Sequence, residues 1–233
     1  MSGGNMTTSR TYPARLEGEL DPQLSRWLWL VKWLLVLPHV FVLVFLWIAF
    51  IVLSIVAWFA ILITGHYPRG IFNFNVGVLR WTWRVSFYAV DAFGTDRYPP
   101  FSMQPDPTYP ADFTVDYPDH LSRGLVLVKS WLLAIPQYIV IGFFAGGAGW
   151  HFGGLISVLA IIAAVVLLFS GAYPRQIFEF VMGMNRWCYR VVAYAALMTD
   201  EYPPFRLDNG GTDPGSTPAV VTPSPDPVPA TAQ

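Results

Sequence analysis

Charged residues are scarce in this sequence, and two long stretches lack them altogether. Asp, Glu, Lys and Arg make up 12% of the 233 residues, against about 25% in a typical soluble domain. None occurs in the 36 residues between Lys32 and Arg69, or in the 45 residues between Lys129 and Arg175. Because a helix exposed to water needs a polar face, these stretches argue against an ordinary soluble enzyme and indicate an integral membrane protein.

Other absences narrow the function. Cys188 is the single cysteine, so no intrachain disulfide is expected. The net charge of -1 gives no field that attracts nucleic acid. His39, His66, His120 and His151 share no metal-ligand spacing, and no nucleophile, phosphate-loop or dinucleotide motif occurs. We therefore expect a protein that is not an enzyme and that holds neither a metal nor another cofactor.

The uncharged stretches are long enough to cross a bilayer, since one crossing needs about 20 apolar residues. In the second stretch, apolar segments at about 121–145 and 154–171 flank a glycine-rich segment, which predicts a helical hairpin. The first stretch, at about 24–63, fits two arrangements. One is a long helix over 39–63 preceded by an interfacial helix, and the other is a hairpin that turns within 42–47. The repeat described next favours the hairpin.

The chain contains an internal duplication, with one unit at 12–104 and a second at 109–206. The offset between matched positions rises from 97 to 106 across the apolar stretch and then falls to 104, as an added glycine turn in the second unit would produce. We expect residues 1–11 and the Pro-rich tail 207–233 to be disordered. The matched residues include Lys32 and Lys129, Tyr67-Pro68-Arg69 and Tyr173-Pro174-Arg175, Gly77 and Gly183, Arg80 and Arg186, Arg84 and Arg190, Tyr88 and Tyr194, Asp96 and Asp200, and Pro99-Pro100 and Pro203-Pro204.

The duplication and the charges together predict a topology. If each unit crosses the membrane twice, all 14 basic residues lie on one side. If each unit crossed once, the two Tyr-Pro-Arg segments would face opposite compartments. The one-sided arrangement predicts four transmembrane helices in a cell membrane, with both termini in the cytoplasm. Alternating polar and apolar residues at 15–17 and 112–117 predict a short strand before each hairpin.

An amphipathic helix follows each hairpin, at about 68–93 and 174–197. Its polar stripe carries Gly77, Arg80, Arg84 and Tyr88 in the first unit, and Gly183, Arg186, Arg190 and Tyr194 in the second. We expect both helices to lie at the membrane interface. The arginines that would contact anionic headgroups there are Arg69, Arg80, Arg84, Arg175, Arg186 and Arg190.

Two alternatives for the arginines stay open. They could line a polar cavity together with Asp91 and Glu179, because ionisable groups within a membrane usually serve a function. Arg80 and Arg84 could instead form internal pairs with Asp91, Asp96 or backbone carbonyls. The closing Thr-Asp-x-Tyr-Pro-Pro-Phe motif of each unit predicts a structural clasp, in which Asp96 and Asp200 accept hydrogen bonds from local backbone groups.

The motifs Tyr-Pro-Arg-x-Ile-Phe-x-Phe, Gly-x-x-Arg-Trp-x-x-Arg-Val-x-x-Tyr and Asp-x-Tyr-Pro-Pro-Phe resemble the bacterial membrane family catalogued as domain of unknown function 4389. The resemblance covers residues 12 to about 206, and both copies carry the motifs. It implies a multi-pass membrane protein with no established activity. We expect a scaffold or lipid-interacting protein whose partners are membrane lipids and other membrane proteins. A transporter or lipid-translocating protein is the alternative.

Overall fold

The computed structural model describes residues 12–146 and 154–208, and over these ranges the chain is mostly helical. The predicted disorder of 1–11 and 207–233 lies outside the described residues, except for Leu207, which packs against Gly183, and Asp208. Most of the glycine-rich segment lies outside them as well. The elements, in chain order, are β1 (Ala14–Gly18), α1 (Trp29–Leu35), α2 (Leu37–Thr64), α3 (Arg69–Ala89), β2 (Ala111–Val115), α4 (Arg123–Val128), a π-helical segment (Lys129–Leu133), α5 (Ile135–Ala145), α6 (Leu155–Ser170) and α7 (Arg175–Ala195).

The two predicted strands form an antiparallel pair that relates the two units by an approximate two-fold axis. Leu16 of β1 lies opposite Phe113 of β2, and these two residues hold matched positions in the repeat. β1 packs on α7 of the second unit, while β2 packs on α3 of the first. Each unit therefore covers the amphipathic helix of the other unit with its own strand.

The helix α3 lies between the sheet and α2. One face carries Arg80 and Arg84, which bond to residues of β2. On another face, Asn75 donates to Ser54 of α2, and Thr82 accepts a hydrogen bond from Trp47. In the second unit, α7 contacts β1, α5 and α6. The chain is thus built in three layers, with the sheet outermost, α3 and α7 in the middle, and α2, α5 and α6 on the far side.

The helix α2 is unbroken over 28 residues, which corresponds to a length of about 42 Å. Pro38 lies in its first turn, and Gly65 ends it in the left-handed conformation with φ of 77°. Neither Gly nor Pro occurs between these two residues, so nothing ends the helix within 42–47. The hairpin predicted there is absent, and the first unit has the other arrangement, a long helix preceded by the short helix α1.

Matched contacts show that α5 begins at the same place in the second unit as α2 does in the first. His39 of α2 accepts a hydrogen bond from the indole of Trp81 on α3, at 3.0 Å. Gln137 of α5 accepts the equivalent bond from Trp187 on α7, at 2.7 Å. The π-helical segment explains how this register survives, because the repeat offset grows from 97 to 98 between Lys129 and Pro136. A π turn takes up one added residue without displacing the helix on either side.

The ends of α2 and α6 also match each other. α2 ends at Gly65, whose carbonyl accepts from the backbone N–H of Leu121 at 2.9 Å, in the second unit. α6 ends at Gly171, also left-handed, where it packs against Arg26 of the first unit. The start of α5 and the end of α6 thus lie at opposite ends of the molecule. They form one long path interrupted by an insertion, whereas a hairpin would bring both ends to one side.

The apolar helices meet the length requirement for a membrane span only in part. α2 is long and apolar enough to cross a membrane on its own. The segment Arg123–Leu133 passes only together with α5, across a bend of 46°, and α6 is apolar but shorter. The described residues therefore contain one such helix, or two if the bent pair is counted. The four separate spans predicted from the sequence are not found among them.

The two outer surfaces of the molecule differ in character. Large apolar side chains on α2, α5 and α6 are more than half exposed, among them Phe41, Phe45, Ile55, Phe59, Ile139, Phe143 and Phe169. On the opposite surface, the sheet exposes the polar side chains of Glu17, Thr114 and Asp116. We call the first surface the apolar layer, defined by the exposed side chains of α2, α5 and α6.

Candidate functional site

The arginine pair of the first unit is buried and shares one carboxylate. Arg80 and Arg84 are 7% and 0% exposed. Arg80 Nε donates to Asp112 Oδ1 at 2.7 Å, and Arg84 Nη2 lies 3.2 Å from the same oxygen. Arg80 also donates to the carbonyl of Met103, and Arg84 to that of Ala111. Burial lowers the pKa of Arg84, and the negative charge of Asp112 opposes that shift.

This geometry corresponds to the internal pairing that the sequence left open, with a different acid. The partner is Asp112 of β2, not Asp91 or Asp96. The arginine side chains that α3 and α7 were expected to present to a membrane interface are instead covered by the sheet and by the segments that follow each helix. The sequence could not identify Asp112, because it lies in the other unit and reaches α3 only through the exchanged strands.

The arginine pair of the second unit has different partners. Arg190 is 1% exposed and donates to the carbonyls of Arg206 and Asp208. Arg186 is half-buried, and its Nε lies 3.4 Å from the carbonyl of Leu16 on β1. Burial, reinforced by the positive charge of Arg206, lowers the pKa of Arg190 to about 10, so this side chain remains charged at neutral pH.

The two arginines of the Tyr-Pro-Arg motifs are exposed. Arg69 lies over the ring of Tyr117, with 4.3 Å between the guanidinium carbon and the ring centre. Arg175 pairs with Glu179 one turn further along α7, at 3.0 Å. Because both side chains are exposed, their guanidinium groups remain accessible to ligands. Exposed ion pairs such as that of Arg175 with Glu179 contribute little to stability.

A buried lysine joins the closing motif in each unit. Lys32 is 1% exposed, and its Nζ donates to the carbonyl of Thr95 at 2.7 Å and pairs with Asp96 at 2.8 Å. Tyr88 places its ring 4.9 Å from the same ammonium. Asp96 also accepts from the backbone N–H of Ser25. These contacts tie the segment after α3 to the start of the apolar stretch.

The second unit repeats this arrangement almost atom for atom. Lys129 Nζ donates to the carbonyl of Thr199 at 2.6 Å and to Asp200 at 2.8 Å, with the ring of Tyr194 at 5.0 Å. Asp200 accepts from the backbone N–H of Ser122 at 2.6 Å. We name the two arrangements the lysine clasps. Asp96 and Asp200 accept from backbone N–H groups, but these belong to Ser25 and Ser122, which are distant in sequence and are not the local groups that were predicted. The lysines were missed, although a lone cation at a matched position beside each apolar stretch signalled a buried partner.

The remaining motif residues hold the units together. Tyr67 accepts from Asn75 and donates to the carbonyl of Ala196, while Tyr173 donates to that of Ala92. Side chains of Met103 and Leu207 occupy the space that a Cβ would need at the matched helical glycines, Gly77 and Gly183. Pro68 and Pro174 precede α3 and α7 in extended conformation, Pro99 and Pro203 are buried, and Pro100 and Pro204 are half-buried.

The space around the two-fold axis is filled by aromatic rings. Trp83 contacts Phe87 and Tyr189, with ring centres 5.4 and 5.6 Å apart, and Phe113 contacts Tyr189 at 5.2 Å. An open groove of about 580 Å³ lies elsewhere, between α2, α5 and α7, and its lining is apolar. Over residues 12–146 and 154–208, no three His, Cys, Asp or Glu side chains come together in a way that could hold a metal ion.

The fold and these contacts define a duplicated, mostly helical protein with buried cationic clusters and one extended apolar surface. A family model described as Domain of unknown function (DUF4389) matches residues 26–103 and again residues 127–206. The chain belongs to this family and carries two tandem copies of its domain, which confirms the resemblance found in the sequence. No curated protein and no solved structure matches the chain.

Proposed function

We propose that this chain is a non-enzymatic, lipid-interacting membrane protein that lays its apolar layer into one leaflet and contacts anionic headgroups with cations at the rim. One observation carries the proposal. The large exposed apolar side chains of α2, α5 and α6 lie on one side of the middle layer, whereas the sheet with Glu17 and Asp116 lies on the other. An apolar surface of this extent marks a contact with lipid or protein.

The alternative orientation, in which the long helices stand upright across the bilayer, is energetically worse. The sheet packs on α3 at Arg80 and Arg84, and the same turn of α3 bonds to Trp47, which lies in the middle part of α2. An upright molecule would therefore place the sheet near the bilayer centre. Asp116 and Arg15 are 61% and 41% exposed there. Each charged side chain at mid-bilayer costs about 2.5–3.5 kcal/mol on insertion scales. Lying flat avoids this cost and still buries the apolar layer.

The exposed arginines fit the flat orientation. Arg26 and Arg175 lie at one end of the apolar layer, and Arg69 and Arg123 lie at the other, since α2 and the α5–α6 path run in opposite directions. In a flat molecule all four reach the headgroup region of one leaflet. The rim cations are therefore our proposed headgroup contacts. Arg80, Arg84 and Arg190 have protein partners instead.

A transporter or lipid-translocating role has less support. Such a role needs a polar pathway between the repeats near mid-bilayer, and aromatic rings occupy that space around the axis. The length of α2 would allow that helix to cross a membrane, and labelling of the two ends of the molecule separates an upright arrangement from the flat one.

Removing two rim cations should weaken the preference for anionic lipid. Each basic residue near an anionic surface contributes about 1 kcal/mol. We therefore expect Arg69→Gln with Arg175→Gln to reduce the retention of phosphatidylglycerol relative to phosphatidylcholine by roughly 25-fold, measured by native mass spectrometry from mixed micelles.

The matched control is Arg97→Gln, which removes one exposed cation on the sheet side, where Arg97 donates to the carbonyl of Thr108. Its lipid preference should equal that of the unmodified chain. Equal losses in the control and in the rim variant, or no loss in either, would count against headgroup contact at the rim.

A further inference from the structure

The duplication lets each arginine pair be compared with its counterpart. In the first unit, Asp112 supplies the carboxylate that Arg80 and Arg84 share. Asp112 belongs to the second unit, and the position that matches it in the first unit, 97 residues earlier, is Arg15. The arginine pair of the second unit therefore receives a cation from β1 at the position where the first pair receives its counter-charge from β2.

The surroundings of Arg15 leave this difference uncompensated. Arg15 turns to Asp116, which it contacts at 2.7 Å on the exposed surface of the sheet. Arg206, near Arg190, pairs with Asp208 at 3.3 Å. Over residues 12–146 and 154–208, the four guanidinium groups of Arg15, Arg186, Arg190 and Arg206 are therefore accompanied in these pairs by two carboxylates, those of Asp116 and Asp208. We call Arg15, Arg186 and Arg190 the second arginine cluster.

Two donors in this cluster, the Nε of Arg15 and the Nε of Arg190, have no hydrogen-bond partner among the described residues. Both atoms are buried, and Arg190 as a whole is only 1% exposed. In the first unit the equivalent Nε, on Arg84, donates to the carbonyl of Ala111. A buried charged donor without a partner is costly, and a bound anion would satisfy it.

We infer that the second arginine cluster binds a phosphate group at the unpaired Nε of Arg190, and that this phosphate supplies the counter-charge that Asp112 gives to the first arginine pair. Guanidinium forks match the oxygens of carboxylate and phosphate alike. The excess positive charge of the cluster favours a dianion over a single carboxylate. The site lies at the edge of β1, on the sheet side of the molecule, and so goes beyond the headgroup contacts proposed for the rim.

The test uses the full chain in detergent and inorganic phosphate as the probe, with binding followed by calorimetry and by the rise in Tm. The first variant is Arg15→Asp, which gives the Arg186 and Arg190 pair the carboxylate that Asp112 gives to the Arg80 and Arg84 pair. We expect this variant to fold, because the Arg80 and Arg84 pair already packs against a carboxylate at the matched position. It should bind phosphate at least tenfold more weakly than the unmodified chain. Arg186 is half-buried, and Arg186→Gln should also weaken phosphate binding at least tenfold.

Arg97→Gln serves as the matched control, since it removes an exposed cation that belongs neither to the second arginine cluster nor to the rim cations, and it should leave phosphate binding unchanged. A parallel titration with phosphatidic acid in mixed micelles identifies the source of the group. Binding of inorganic phosphate supports a soluble ligand, whereas binding of phosphatidic acid alone supports a lipid phosphate, provided Arg15→Asp abolishes it. Equal affinity in Arg15→Asp and the unmodified chain, or no binding of either probe, would overturn the inference.

Discussion

Replacing Asp200 with Asn should destabilise the protein by about 3 kcal/mol, because the change leaves the ammonium of Lys129 buried without its counter-charge. Lys129 is fully buried, and Asp200 is its carboxylate partner at 2.8 Å. The Asn amide oxygen can still accept from the backbone N–H of Ser122. The loss of stability therefore reports the removal of the negative charge alone. For a chain of this size, the expected fall in Tm in detergent is roughly 10 °C.

The double variant Lys129→Met with Asp200→Asn distinguishes the effect of an unpaired buried charge from the effect of altered side-chain packing. Removing both charges eliminates the unpaired cation, so the double variant should recover much of the stability that Asp200→Asn loses. Asp116→Asn is the control, since its pair with Arg15 is exposed and such pairs contribute at most about 1 kcal/mol. If Asp200→Asn lowered the Tm no more than Asp116→Asn, the lysine clasps would not be stabilising elements.

Glutamate in the apolar layer should release the protein from membranes. Phe45 and Ile139 are 58% and 71% exposed on α2 and α5, and they have no role in the packing of the middle layer. Placing an acidic side chain in hydrocarbon costs about 2–3 kcal/mol per residue. We expect Phe45→Glu with Ile139→Glu to lower the partitioning of the chain into vesicles by roughly three orders of magnitude.

The control for this change is Thr114→Glu, which adds the same charge on the exposed surface of the sheet. It should partition as the unmodified chain does, and circular dichroism of all three proteins should show equal helix content. Release by Thr114→Glu to the same extent would mean that the sheet, and not the apolar layer, lies in lipid.

Local signals in the sequence were sufficient for several features of the fold. The second apolar segment ends at about 171 as predicted, because Gly171 ends α6. The prolines at 68 and 174 precede α3 and α7, and the predicted strands pair. The duplication also anticipated that Asp96 and Asp200 hold equivalent places, although their backbone partners Ser25 and Ser122 are distant in sequence. These features depend on residues close in sequence or on the repeat itself.

Features that depend on distant residues could not be predicted in the same way. The glycine-rich segment gives the same local signal for a hairpin and for an insertion into one helix. Only the contacts of Gln137 at one end and Gly171 at the other distinguish the two. Asp112 was missed for a similar reason, because the exchange of strands between units brings it to Arg80 and Arg84.

Two-sided labelling of Arg69 and Arg175 tests the flat orientation most directly. Cys188 is buried, and its replacement by Ala leaves a chain in which a single cysteine can be introduced at either arginine. A thiol reagent that cannot cross membranes is then applied to sealed vesicles. The account predicts that cysteines at 69 and 175 react from the same side. Reaction from opposite sides would show that the long helices stand upright across the bilayer, and would contradict it.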